Sequence, residues 1–172
     1  MFYDLAVSHQ IHKASGPASV RVAVLTVSDT RTEATDTSGA AIVALLEQAG
    51  HQVTTRALVK DEPADVTAFV AAQLRGAAQV IITTGGTGLT SRDSTYEAIT
   101  EMLEKRLDGF GELFRMLSYA DIGSAAMMSR ACAGLARERV VIALPGSEGA
   151  VRLAMTKLVL PELGHLVQQA SK

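Results

Sequence analysis

Three glycines within four residues, followed by an arginine and an aspartate, carry the chemistry of this chain. The stretch reads Val80-Ile81-Ile82-Thr83-Thr84-Gly85-Gly86-Thr87-Gly88-Leu89-Thr90-Ser91-Arg92-Asp93-Ser94-Thr95. It opens as a continuous apolar run, the pattern of a strand covered on both faces. It then breaks at Gly85, Gly86 and Gly88, and a helical pattern follows with Ile99, Met102 and Leu103 on one side. A glycine turn between a strand and a helix lets the backbone approach a ligand closely. Its exposed N–H groups suit an anion, phosphate above all. Thr84, Thr87, Thr90 and Thr95 add hydroxyls, and Arg92 and Asp93 set a cation and a carboxylate at the edge. The loop is neither a P-loop, because no Gly-Lys-Ser/Thr follows, nor a Gly-x-Gly-x-x-Gly dinucleotide turn. Taken alone, such a loop is as often a plain turn as a site; the Arg-Asp pair and the threonines favour a site.

The elements that position this loop are legible on either side. Val20–Val27 is β-branched and reads as a first buried strand, ending in Ser28-Asp29-Thr30-Arg31. That polar end has two readings, a solvated loop or a ligand edge. Asp36-Thr37-Ser38-Gly39 opens a helix with Ile42, Leu45, Leu46 and Ala49 in line and Gly50 as its stop. Gln52–Val59 is a second strand, and Pro63 starts a helix that buries Val66, Phe69, Val70 and Leu74. Asp61 and Glu62, just before it, are favoured there by the helix dipole alone. Phe110, Leu113, Phe114 and Leu117 mark the buried face of a further helix, on which Glu112 and Arg115 are neighbours. Ala131–Leu135 and Val140–Leu144 flank Arg137-Glu138-Arg139 and read as an antiparallel hairpin. Pro145-Gly146-Ser147-Glu148-Gly149 repeats the strand–glycine turn–helix arrangement, with Ser147 as cap and Val151, Ala154, Met155 and Leu158 inward. A last helix is expected from Pro161, burying Leu163, Leu166, Val167 and Ala170. The alternation of strands and helices predicts an α/β fold, a three-layer sandwich around a mostly parallel mixed sheet with right-handed crossovers.

Bulk properties narrow the function classes. The chain has 172 residues, 48% of them hydrophobic, enough for one domain with a sizeable core. A net charge of −2 offers no basic field for nucleic acid and no polybasic patch for a membrane. The lone Cys132, between two alanines, excludes an internal disulfide, suits a reducing cytoplasm and is expected to be inert. The four histidines are scattered, so no structural zinc site is expected. Residues 1–19 lack periodicity and the order of a signal peptide; they read as an N-terminal extension to a single domain over 20–172, and residues 1–18 are expected to be dispensable for binding.

Six motifs in order then suggest a family. Val27-Ser28-Asp29-Thr30-Arg31, Asp36-Thr37-Ser38-Gly39, Thr84-Gly85-Gly86-Thr87-Gly88 with Arg92-Asp93, Gly109-Phe110-Gly111-Glu112-Leu113-Phe114-Arg115, Ser129-Arg130-Ala131 and Leu144-Pro145-Gly146-Ser147 resemble the MogA/MoaB family of molybdenum-cofactor biosynthesis, whose domain also occurs in gephyrin. The likeness covers about residues 20–168. It implies a molybdopterin-binding fold, a homo-oligomer built on trimers (a dimer of trimers in some members) and binding of molybdopterin and ATP. The catalytic members adenylylate molybdopterin with Mg²⁺, and a molybdate-insertion protein acts downstream. Their two functional carboxylates, which hold the Mg²⁺, fall on Asp61 and Asp93. Gly85, Gly86, Thr87, Gly88, Pro145, Gly146 and Ser147 fall on the nucleotide and phosphate side. Ser28, Asp29, Asp36, Ser38 and Gly39 fall on the molybdopterin side, with Glu112, Arg115 and Ser129 as site neighbours. Two departures stand out. Tyr96 follows Thr95 where the family often has proline, and Glu148 follows Ser147 where it often has a second proline, adding negative charge beside the phosphate side. Some members of the MoaB type lack the carboxylates and bind without catalysing; this chain keeps both.

Overall fold

The structure, a computed structural model, describes residues 16–172. The expectations for residues 1–15, including His9 and His12, lie outside the described residues. The elements in chain order are β1 (Arg21–Val27), α1 (Thr37–Gln48), β2 (Gln52–Val59), α2 (Pro63–Leu74), β3 (Val80–Thr84), α3 (Thr95–Met102), β4 (Lys105–Arg106), α4 (Asp108–Ile122), a 3₁₀ segment (Gly123–Met128), β5 (Cys132–Ala136), β6 (Arg139–Leu144), α5 (Glu148–Ala154), a π turn (Met155–Val159) and α6 (Leu160–Ala170).

The strands form one sheet in the order β2-β1-β3-β6-β5-β4. Its first four are parallel, and β6-β5 and β5-β4 are antiparallel. Successive residues in the central strands point to opposite faces, and the core divides accordingly. Val22, Val24, Val80, Ile82, Val140 and Ile142 pack with α1, α4, α5 and α6 through Ile42, Leu46, Phe114, Val151 and Leu163. Leu25, Val27, Ile81, Val141 and Ala143 pack with α2 and α3 through Val66, Val70, Leu74 and Ile99. Two apolar faces on one sheet demand helices on both, which gives three layers. The expected α/β sandwich is the observed one.

Register sets the site. Thr26 of β1 aligns with Thr84 of β3, and Thr84 with Leu144 of β6. The loops after these three strands therefore leave the sheet side by side. Gly85, with φ +101°, sits where they meet: a Cβ there would run into the Val27 carbonyl, and its amide donates to Leu144 O at 3.1 Å. Only glycine adopts that backbone without strain.

Local expectations meet the structure unevenly. Leu113 is 47% exposed rather than buried, because α4 turns only Phe110, Gly111, Phe114 and Ser118 to the core. No separate helix starts at Pro161; α5, the π turn and α6 run on continuously, with Pro161 in the first turn of α6. The π turn lies where the missing proline N–H would otherwise leave a gap in the helical ladder. β4, two residues long, carries no strand signal in the sequence. The hairpin turn holds Arg137 and Glu138 at φ +46° and +60°, a twist that matches the strands but strains side-chain-bearing residues. Gly16 packs on the backbone of Gly164, so the residues just ahead of β1 dock on α6.

Candidate functional site

The side-by-side loops enclose a cleft of about 620 Å³. Val27–Arg31, Asp61, Gly85–Gly88, Thr90, Arg92, Asp93, Ala125, Met128–Arg130 and Pro145–Ser147 line it. It lies at the carboxyl edge of the parallel strands, where such folds bind ligands.

Asp61 reaches the cleft because β2 ends beside β1 and Pro63 starts α2 just beyond. It is 6% exposed. Its Oδ1 accepts from the Ser94 hydroxyl at 3.0 Å and the Thr95 hydroxyl at 3.2 Å, bracing the start of α3. Its other oxygen lies where a side chain on Gly86 would go, so Gly86 (φ +63°) must lack one. Asp93 accepts from the Thr90 hydroxyl at 2.5 Å and the Thr90 amide at 3.0 Å. These contacts, the hydroxyl first, outweigh partial burial and hold its carboxyl below the usual range. The Gly88 amide contributes in the same direction. In the free protein the Gly85 amide thus belongs to the sheet, and the Asp93 carboxylate is packed against Gly88.

Asp29 stands between the two. Its carboxylate accepts from Arg92 Nε at 2.8 Å and from the Asp61 backbone N–H at 3.1 Å. The Arg92 bond is the main reason its carboxyl is depressed. Arg92 also donates to Glu62 at 2.7 Å, so the glycine loop is tied across the cleft to the ends of β1 and β2. On the far wall, Arg31 donates to Ser38 Oγ and to Gly146 O, both at 2.9 Å, and the Ser38 hydroxyl donates to the same carbonyl at 2.7 Å. Ser28 folds its own loop by accepting from the Arg31 amide at 3.1 Å. Ser147 caps α5, its hydroxyl accepting from the Ala150 amide at 3.3 Å. Glu148 is drawn to Arg152 at 2.8 Å and does not line the cleft, so its charge is countered on the helix.

Of the residues assigned to the site from sequence, Ser28, Asp29, Asp61, Gly85–Gly88, Asp93, Ser129 and Pro145–Ser147 share this cleft. Asp36, Ser38 and Gly39 lie behind it. Asp36 is buried, caps α1 through the Gly39 amide, and accepts from Thr26 at 2.7 Å and Arg56 at 3.0 Å. Burial pushes its carboxyl up, but those three bonds prevail and hold it low. Gly39 is packed on that carboxylate with no room for a side chain. Glu112 and Arg115 line a separate polar depression of about 280 Å³ with Arg106, Asp108 and Cys132. Burial pushes the Cys132 thiol up to about 11, which leaves it protonated and unreactive at neutral pH. Arg31 and Arg130 line the cleft but received no role from sequence. Their motifs were visible; their reach was not, because Arg31 meets Gly146 across 115 residues.

The cleft carries three arginines and three aspartates, so its charge nearly balances. A polyanion bound there needs a further cation. Among the described residues no group of three or more His, Cys, Asp and Glu is placed to hold a metal. Mg²⁺ is commonly held by one or two carboxylates together with substrate phosphates, and Asp61 and Asp93 meet that requirement. No helix among the described residues is long and apolar enough to cross a membrane.

Comparison with known proteins gives the same direction. Residues 23–165 match the family described as a probable molybdopterin binding domain. Molybdenum cofactor biosynthesis protein B of Bacillus cereus is 52% identical over 157 residues, covering 90% of this chain and 93% of that protein. A crystal structure of a molybdenum cofactor biosynthesis protein B is 50% identical with a TM-score of 0.88, covering 91% of this chain and 99% of the other. The tungsten cofactor synthesizing protein MoaB from Pyrococcus furiosus is 35% identical with a TM-score of 0.83, covering 91% and 99%. With the fold, the glycine loop and both carboxylates in place, the chain belongs to the MogA/MoaB family of molybdenum-cofactor biosynthesis proteins.

Proposed function

We propose that this chain works in molybdenum-cofactor biosynthesis, adenylylating molybdopterin at the expense of Mg-ATP. The observation that carries the reading is the pairing of Asp61 and Asp93, from different elements, across one glycine-lined cleft. Adenylyl transfer joins a phosphate oxygen of molybdopterin to the α-phosphorus of ATP and breaks the α–β bridge, releasing pyrophosphate. Such a transfer leaves the protein mainly positioning and electrostatics. Asp61 and Asp93 would hold Mg²⁺, which would neutralise charge on the phosphates. The Gly86 and Thr87 amides of the glycine loop, not the Gly85 amide that bonds Leu144, and the Ser147 end of α5 receive phosphate oxygens; Ser28 and Asp29 border the pterin side. Asp36 and Ser38 serve it from behind by fixing α1 and the Gly146 carbonyl.

The active form is a homo-oligomer built on trimers. Leu113, Met116, Tyr119, Ile122, Met127 and Met128, all more than 45% exposed, supply an apolar face along α4 and the 3₁₀ segment. Light scattering at micromolar concentration is expected to give a multiple of three chains; a monomer would refute this.

A second reading is a binding-only member of the same pathway. It draws on the relatives' names, which are those of protein B. It also draws on the present engagement of Asp93 with its own loop. Incubating purified protein with molybdopterin and Mg-ATP separates the two. Adenylylated molybdopterin with pyrophosphate supports the enzyme; tight binding without product supports the binding protein.

A further inference from the structure

The Ser129-Arg130-Ala131 motif contributes a residue that nothing above uses. The Arg130 guanidinium donates through Nε to Thr87 O at 3.0 Å and through a terminal nitrogen to Gly88 O. Its other terminal nitrogen pairs with Glu97 on α3. Its plane lies over the Tyr96 ring, 4.8 Å from the centroid. The side chain is 21% exposed, so most of its charge is committed inward.

A planar trans peptide points its C=O and its N–H in opposite directions. With Thr87 O turned to Arg130, the Gly88 N–H faces the other way, and the Asp93 carboxylate is packed against Gly88. Arg130 and Asp93 therefore grip opposite sides of the same peptide. We propose that Arg130 is a positioning residue: braced by Tyr96 and Glu97, it sets the glycine loop and, through it, the Asp93 carboxylate before any ligand arrives. A planar fork is needed to take two successive carbonyls and a carboxylate at once, which an ammonium does not reproduce. Position 96 is where this chain departs from the family's common proline, and the tyrosine ring there supplies a second brace. The role toward adenylyl transfer rests on the proposed function; the ordering of the loop does not.

The test uses the full-length chain. Hydrogen exchange over residues 85–95 is measured on the free protein, and Mg-ATP and molybdopterin binding are each measured by calorimetry. Arg130→Lys is expected to raise loop exchange at least about tenfold, with β3 and β6 unchanged, and to weaken Mg-ATP by about tenfold. Arg130→Gln keeps neither the fork nor the charge and is expected to weaken Mg-ATP further while leaving molybdopterin affinity unchanged, a split that a general loss of structure would not produce. Tyr96→Pro, tolerated in the first turn of α3, raises loop exchange by a smaller factor, about two- to fivefold. Loop exchange unchanged in Arg130→Lys and in Tyr96→Pro overturns the proposal, as does a loss of Mg-ATP and molybdopterin affinity in equal measure in Arg130→Gln. A wild-type chain that makes no adenylylated product overturns the proposed reaction and leaves the loop result standing.

Discussion

Two strands deliver a glycine turn to the same cleft, and they do so in different ways. The turn after β6 is short and capped locally: Pro145 and Gly146 lead into Ser147, whose hydroxyl caps α5 three residues on, while Arg31 and Ser38 reach the Gly146 carbonyl and Thr84 the Pro145 carbonyl from outside. The loop after β3 is held from far along the chain. Asp61 braces its exit, Arg92 ties it to Asp29 and Glu62, and Arg130 takes its carbonyls. Gly85 and Gly86 give it two positive-φ residues, each against an obstacle that forbids a Cβ. The first turn joins a local cap to long-range contacts at two carbonyls; the second adds to its long-range contacts two backbone positions that only glycine can fill.

The largest expected break in this comparison is Gly85→Ala. A methyl group at φ +101° and against the Val27 carbonyl is expected to cost about 3 kcal/mol or more and to abolish Mg-ATP binding. Gly149→Ala near the other turn meets open space in the first turn of α5 and is expected to be neutral or stabilising by up to about 1 kcal/mol. Chemical denaturation and calorimetry on both variants check the pair.

Next in size is Asp36→Asn, which disrupts the buried acceptor behind both turns. A loss of about 1–3 kcal/mol is expected, since Asn leaves a mismatch toward Thr26 and Arg56. Asp36 has a folded-state value below its unfolded one, so its contribution is present above the unfolded value and disappears as pH falls through the folded value. The wild-type advantage over the variant is therefore expected to shrink in acid urea titrations below about pH 4.

Ser147→Ala is the smallest of these losses. Loss of the cap is expected to cost about 1 kcal/mol. An equal cost for Ser147→Ala and Gly85→Ala would erase the distinction between a side-chain cap and a backbone position that only glycine can fill.

The same distinction explains what the sequence made legible. β1, α1, β2, α2 and β3 follow from signals within a few residues: β-branched runs, the Asp36 cap, the Pro63 start and the Gly50 stop. The glycine loop was visible for the same reason. The grip of Arg130 on residues 87 and 88 was not, because no local spacing records a contact across more than 40 positions. β4 escaped notice because two residues cannot show alternation; it exists by pairing with β5. Leu113 fits a helical stripe as well as Phe114 does, yet only tertiary packing decides which of them is covered. Pro161 reads as the start of a new helix because proline suits a first turn; it does sit in the first turn of α6, but a π turn joins that helix to α5 without a break.

The central claim is that Asp61 and Asp93 act together on Mg-ATP and molybdopterin. Its most direct test is the single-turnover rate of adenylylated molybdopterin formation by the wild-type chain, Asp61→Asn and Asp93→Asn, with circular dichroism and pterin binding measured alongside. Each variant is predicted to keep its fold and its pterin while losing about 10²-fold or more in rate, the scale of one electrostatic contact in a closed site. Formation of the product by both variants at the wild-type rate would contradict the account.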